Sequence, residues 1–304
     1  MLKSKTLIDV HHHAFLPEMV AEAKRSGMQV AEWNIDYDRE VMERLGVTGA
    51  LLSLPAPSPA KIVRQINIFM GEICAKDPNH YGLLASLPCL SVDDALNEIA
   101  YAYDDLNADG FILLSNYNGV YLGDERMEEI LAELNRRAAV VFVHPGKPAG
   151  DNLPLFGRDI AVYEFPFDTT RSIMDLVYKG KIEKYPNIRW IIAHAGGTIP
   201  YLAHRLSIAK EWNGITQSPA EVLAPLSTLY YELALSASPY SIPALKKLAG
   251  ASHVLFGTDF PMRLEKGIAQ SVTDIADNLG LEEDEQHMIA AETALKLFPR
   301  FVKN

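Results

Sequence analysis

The first apolar run of the chain, residues 6–10, leads into His11, His12 and His13. Successive side chains on a strand point to opposite faces, so His11 and His13 share a face and His12 points the other way. Two imidazoles side by side form half of a metal site. Three further apolar runs end on residues of ligating type. Residues 139–143 end at His144, residues 188–193 end at His194, and residues 253–256 lead through Gly257 and Thr258 to Asp259. The other five histidines, His12, His80, His204, His253 and His287, fall on the back of the first strand, in loops or in helices. Neutral imidazoles with one carboxylate suit Zn²⁺ first, and also Mn²⁺ or Fe²⁺. His11, His13, His144 and Asp259 provide the protein side of such a site and leave a position open, as a catalytic metal requires. His194 then sits just outside that set, holding a water or carrying protons. Asp9, two residues before His11 and so on its face, is the candidate orienting partner. Its plainer reading is a polar strand end.

Elements in between must carry these residues to one place. Apolar runs at 6–10, 47–54, 81–87, 110–114, 139–143, 188–193, 229–235 and 253–256 alternate with segments of helical period. The helices expected between them include 18–30, a short one over 38–45 stopped by Gly46, and one over 169–185 capped by Asp168. Continuous apolar strands are those buried on both faces. Eight strand–helix units without a composition break predict a (β/α)8 TIM barrel, one domain over residues 1–304, with an irregular insertion over 147–166 after the fifth strand. An open doubly wound sheet would carry a glycine-rich dinucleotide loop after an early strand, and the sequence has none. In a barrel the active site lies at the carboxyl ends of the strands, where all five residues fall. The fourth strand carries no lysine that could bridge two ions once carboxylated, which points to one metal.

The charge balance is 28 Lys and Arg against 39 Asp and Glu, a net −11 with no basic cluster. That excludes nucleic acid and anionic membranes as partners. No apolar run approaches a membrane span, and residues 1–5 lack the apolar core of a signal peptide. Two cysteines, Cys74 and Cys89, are too few for a disulfide framework and read as buried thiols. A cytoplasmic location is expected.

Substrate contacts are sought on the same rim. Phe15, Trp33, Phe165 and Phe260 are candidates to wall a flat apolar pocket, with Phe260 favoured by its place beside Asp259. Asn116 after the fourth strand is either a substrate contact or ordinary turn chemistry. Arg171, three residues past Asp168, is either a substrate contact or a local capping partner.

The stretches Asp9-Val10-His11-His12-His13, Val143-His144-Pro145, His194-Ala195-Gly196-Gly197 and Gly257-Thr258-Asp259-Phe260-Pro261, in this order, resemble the amidohydrolase superfamily. More narrowly they are similar to its branch of aminocarboxymuconate semialdehyde and hydroxybenzoate decarboxylases. The resemblance implies a mononuclear site on a (β/α)8 barrel, commonly in a homodimer. It implies that His194 positions or activates a water, and that Asp259 is both ligand and proton shuttle. It implies loss of CO₂ from a small carboxylic acid with an ortho hydroxyl or comparable electron sink. The aminocarboxymuconate enzymes grip a carboxylate with arginines from the first-strand loop and from the neighbouring subunit. Here that loop offers only Arg25 and Arg39 at helical positions, and the helix after His194 offers Arg205 and Lys210. A salicylate-like monoacid therefore fits better. The same shell would also serve a hydrolase opening a lactone or amide, and a binding protein without turnover is the third reading.

Overall fold

Seven turns of alternating strand and helix place eight parallel strands side by side in a computed structural model that describes residues 4–25, 33–55, 59–150, 152–212 and 214–302. The strands are β1 (Ile8–His13), β2 (Gly49–Ser53), β3 (Tyr81–Ser86), β4 (Gly110–Leu114), β5 (Val140–His144), β6 (Arg189–Ile192), β7 (Tyr230–Glu232) and β8 (Val254–Leu255). Each pairs with the next, in sequence order. The helix expected over 18–30 is seen as Pro17–Arg25, and 26–30 lies outside the described residues. No helix among the described residues is long and apolar enough to cross a membrane.

Two buried clusters use alternate residues of the same strands, as strict two-residue periodicity requires. Ala50, Leu52, Phe111, Leu113, Val141 and Val143 pack outward against helix residues such as Ile66, Met70 and Ile99. Leu51, Leu84, Ile112, Phe142 and Ile191 face the barrel interior, closed at its amino-terminal end by Phe298 and Phe301. Ile8 and Val10 belong to this inner cluster. Plain alternation would then turn His11 outward. The register of β1 against β2 breaks between Asp9 and His12, and such an irregularity re-aims side chains. It turns His11 inward beside Phe142, with ring centroids 4.9 Å apart.

The last gap in the sheet closes between β1 and the segment after β8. Val10 N–H donates to Phe256 O (3.1 Å), Asp259 N–H to His11 O (2.8 Å) and His13 N–H to Phe260 O (2.7 Å). These bonds carry the pairing through the residues of the candidate site.

One helix boundary departs from expectation. The helix after the insertion spans Glu164–Tyr178, so Asp168 lies inside it and does not cap it. Pro166 sits in the first turn, where its missing N–H removes no helical bond, so the helix starts earlier than the proline suggests. Asp168 is fully buried and accepts from Ser115 Oγ (2.5 Å), Asn116 Nδ2 (2.7 Å) and Tyr121 OH (2.6 Å). It ties the loop after β4 to the helix after β5. Replacing Asp168 with alanine leaves three donors unmatched, and stability should fall by about 3 kcal/mol. A lowered urea midpoint at unchanged slope checks this.

Candidate metal centre

Four side chains from three places converge at the carboxyl end of the barrel. His11 and His13 come from β1, His144 is the last residue of β5, and Asp259 follows β8. All are buried. His11 Nε2 lies 3.2 Å from His13 Nε2, and Asp259 Oδ1 lies 3.4 Å and 3.0 Å from those two nitrogens. One ligand atom from each of the four lies within 4.8 Å of the others. Donors around a tetrahedral ion with bonds of about 2.0–2.1 Å sit about 3.3 Å apart, so these separations fit a shared cation. Asp259 Oδ1 is buried without a hydrogen bond, although it could accept one. An orphaned carboxylate oxygen beside two imidazole nitrogens is what ligation would satisfy.

The outer nitrogens fix the orientation of each ring. His11 Nδ1 donates to Glu232 Oε1 (2.8 Å), His13 Nδ1 faces Ser53 O (3.3 Å) and His144 Nδ1 donates to Pro145 O (2.8 Å). With the proton held on Nδ1, each ring presents Nε2 inward. A histidine ligand is commonly held this way by a partner on its other nitrogen.

Glu232, the last residue of β7, is absent from the sequence-based expectations. It is fully buried and also accepts from His194 N–H (2.6 Å) and Ala234 N–H (2.6 Å). A signal for it was present, since a lone carboxylate in an apolar run needs a buried partner. Asp9 was expected as the partner of the His11 ring. The break in β1 leaves Asp9 on the face of His12 instead, where it accepts from the His12 ring (2.8 Å), His11 N–H (3.0 Å), Thr258 N–H (3.0 Å) and Thr258 Oγ1 (2.6 Å). It steadies backbone on both sides of the barrel seam. His12, expected to pack outward without a role, is clamped between Asp9 and Asp38, with Nε2 at 2.7 Å from Asp38 Oδ1. Trp33 Nε1 and Tyr81 OH donate to the same Asp38 carboxylate.

Charge follows from these contacts. Burial alone would lower the His11 pKa, but Glu232 and Asp259 outweigh it and raise it to about 9. Burial likewise opposes charge on His12, and Asp38 and Asp9 raise it to about 10. Burial lowers His13, aided by the neighbouring His11, and drives His144 well below the usual range. Burial would raise Asp259, but His11, His13 and His194 hold it well below the usual carboxylate range. The four-residue set thus presents two neutral rings, one ring that binds a proton in the absence of a stronger acid, and one carboxylate. Such a set suits a divalent cation.

His194 stands beside the set in the turn His194–Gly196 after β6. Its Nε2 is 3.5 Å from Asp259 Oδ2, and neither ring nitrogen has a hydrogen-bond partner. Above these residues opens a cavity of about 500 Å³, whose floor includes His13, His144, His194 and Asp259. Its walls include Phe15, Leu54, Phe165, Leu235 and Met262, and no Lys or Arg lines it among the described residues. Phe15 lies where expected, and Phe165 approaches His144 with centroids 6.5 Å apart. Phe260 is buried against the His12 ring (5.2 Å), away from the cavity. Asn116 is occupied by Asp168, Lys147 O and Gly119 N–H. Arg171 is half-exposed beside Glu164 (3.9 Å) and Asp168 (3.6 Å), on a separate cleft with Lys179 and Asp124.

A family model described as Amidohydrolase matches residues 8–300. The chain is 35% identical over 314 residues to a 6-methylsalicylic acid decarboxylase of Penicillium expansum, covering 96% of each. It is 25% identical over 271 residues to a 2-amino-3-carboxymuconate-6-semialdehyde decarboxylase of Dictyostelium discoideum, covering 86% of this chain and 73% of that one. A 5-carboxyvanillate decarboxylase from Novosphingobium aromaticivorans, crystallised with manganese and 4-hydroxy-3-methoxy-5-nitrobenzoic acid, superposes with a TM-score of 0.83 at 17% identity, covering 97% and 96% of the two chains.

Glu232→Gln keeps the size of the side chain and removes the charge that holds the His11 ring. Metal affinity should drop about 10–100-fold, with the far-ultraviolet circular dichroism unchanged. Competition against a chromophoric chelator measures it.

Proposed function

We propose, for a chain that belongs to the amidohydrolase family and is an enzyme of its decarboxylase type, that the reaction is loss of CO₂ from a salicylate-like acid with a small apolar ring substituent. The observation that carries this reading is the cavity: its walls are apolar, its floor is the His and Asp set, and among the described residues no Lys or Arg lines it. A dicarboxylate would bring a second negative charge with nothing to meet it, at a desolvation cost of several kcal/mol. A flat monoacid with an ortho hydroxyl places both oxygens toward the floor and its ring between Phe15 and Phe165. The extent of the similarity to a 6-methylsalicylic acid decarboxylase favours this over a lactone or amide hydrolase.

In this reading His11, His13, His144 and Asp259 hold one divalent ion. The three-nitrogen, one-oxygen set fits Zn²⁺, and Mn²⁺, the ion in a related structure, is the second candidate. When bound, the ion supplies a Lewis acid that offsets charge on the substrate oxygens. The protein must then supply a proton. As the ring carbon that bears the carboxylate takes up a proton, a C–H bond forms from ring electrons. The C–C bond then breaks, its electron pair returns to the ring, and CO₂ departs. His194 Nε2 faces the cavity floor without a hydrogen-bond partner and beside Asp259 Oδ2, so the two side chains hold and pass this proton. Glu232, through the His194 backbone N–H, fixes where that ring stands. The free, buried thiols Cys74 and Cys89 accord with a cytoplasmic enzyme, and a homodimer belongs to the same reading.

The purified protein should bind about one divalent ion per chain and release CO₂ from 6-methylsalicylate, with 3-methylphenol as co-product. His194→Ala and Asp259→Asn should each lower kcat by about 10²-fold or more. Turnover of lactones without release of CO₂ from any hydroxybenzoate would overturn the assignment.

A further inference from the structure

We infer that Leu235 selects for an apolar substituent on the substrate ring, an inference that rests on the salicylate-type reading above. Leu235 follows β7 in a tight turn, where Leu233 O accepts from Ser236 N–H (2.9 Å) and Ala237 N–H (3.1 Å). The turn is anchored on one side by the Glu232 carboxylate, which takes Ala234 N–H at 2.6 Å, and on the other by Ser241 Oγ, which donates to Ser236 O. Leu235 therefore stands one short turn from the carboxylate that orients His11.

Its backbone is in the left-handed region, with φ of 57°. Glycine takes that conformation without strain, and asparagine tolerates it. A leucine there is disfavoured by its backbone, and 56% of it is exposed, so burial in the protein does not compensate. Eight non-glycine residues among those described have such a φ, and three of them, His194, Leu235 and Asp259, line the cavity. Two of these three are the groups assigned to proton transfer. Strained residues gather where a side chain must be held in one place. Val162 and Met262, 62% and 63% exposed, stand on the same cavity mouth. A bound ring would cover this apolar rim, and its oxygen-free edge would meet Leu235. The side chain thus gains its burial from the ligand, and more of it when that edge carries a methyl group.

Binding of phenol and 3-methylphenol, which have no carboxylate to lose, separates this from turnover. Titration calorimetry on the Zn²⁺-loaded protein should show 3-methylphenol bound about tenfold more tightly than phenol. In Leu235→Gly that preference should shrink to about twofold or less, because 3-methylphenol loses more affinity than phenol, while the thermal midpoint stays unchanged because glycine accepts this φ. Leu235→Met should retain it. The ratio of kcat/KM for 6-methylsalicylate over salicylate should follow the same pattern. A preference that survives in Leu235→Gly, or is missing in the wild type, or equal losses for both phenols, would overturn the role of Leu235. If the wild type released no CO₂ from either acid, the substrate reading would fall, and the phenol pair would still decide Leu235.

Discussion

The seam between β1 and the segment after β8 is the constraint on which the site depends. A barrel exists only when its first and last strands pair, since an open edge would leave rows of backbone donors and acceptors unmatched. Here the closing bonds run through His11, His13, Asp259 and Phe260, so closing the barrel also places the candidate ligands. Asp9 spans the same seam by accepting from His11 on one side and Thr258 on the other. His11 and His13 cannot slip against Asp259 without breaking the pairing that completes the sheet. The separations of 3.0–3.4 Å between the His11 and His13 Nε2 atoms and Asp259 Oδ1 are therefore set by the fold itself.

Around the seam lies an unusual density of buried charge. The His12 imidazolium is matched by Asp9 and Asp38, and Asp38 is further satisfied by Trp33 and Tyr81. Removing one member of such a group leaves an uncompensated charge, which is why buried polar networks persist only when fully satisfied. Inside the barrel the balance differs. Glu232 and Asp259 face only His11 as a ring raised toward protonation, while His13 and His144 are held neutral. Each group sets one such ring against two carboxylates, and they differ in how the second carboxylate is met: Asp38 by the neutral donors Trp33 and Tyr81, while Asp259 Oδ1 is left without a hydrogen bond. Alternation puts His11 and His12 on opposite faces, and the break in β1 decides that His11 is the one turned inward.

Much of this was legible in the sequence. The period of apolar runs gave the eight strands, and the polar residues at strand ends pointed to His11, His13, His144, His194 and Asp259, which the fold brings together. Both signals are local, a run of apolar residues and its polar end. What was not legible depended on contacts across the fold. The break in β1 has no marker in Asp9-Val10-His11-His12-His13, so Asp9 and His12 could not be placed on their common face. Glu232 was visible as an odd carboxylate in an apolar strand, but its partner is 221 residues away. Asn116 and Arg171 sat on the expected rim, yet Asp168 draws both aside, because the helix containing it begins at Glu164. Phe260 followed Asp259 in sequence and turned to the opposite side of the wall.

That no Lys or Arg among the described residues lines the cavity also bears on how a catalytic cycle of the proposed kind would end. In the proposed reaction the carboxylate is one of two oxygen arms that the substrate offers to the floor, and decarboxylation removes it. A fixed arginine would still be present to attract the next anion of any kind, including inorganic ones, after the product had formed. In the proposed site two oxygen arms would meet one resident ion, so decarboxylation weakens the hold by removing one arm, although the ion stays. The phenol left behind would offer the floor a single oxygen, and the rest of its hold would be apolar contact with a mouth whose Val162, Leu235 and Met262 are more than half exposed. In that reading the step that breaks the bond also loosens the product.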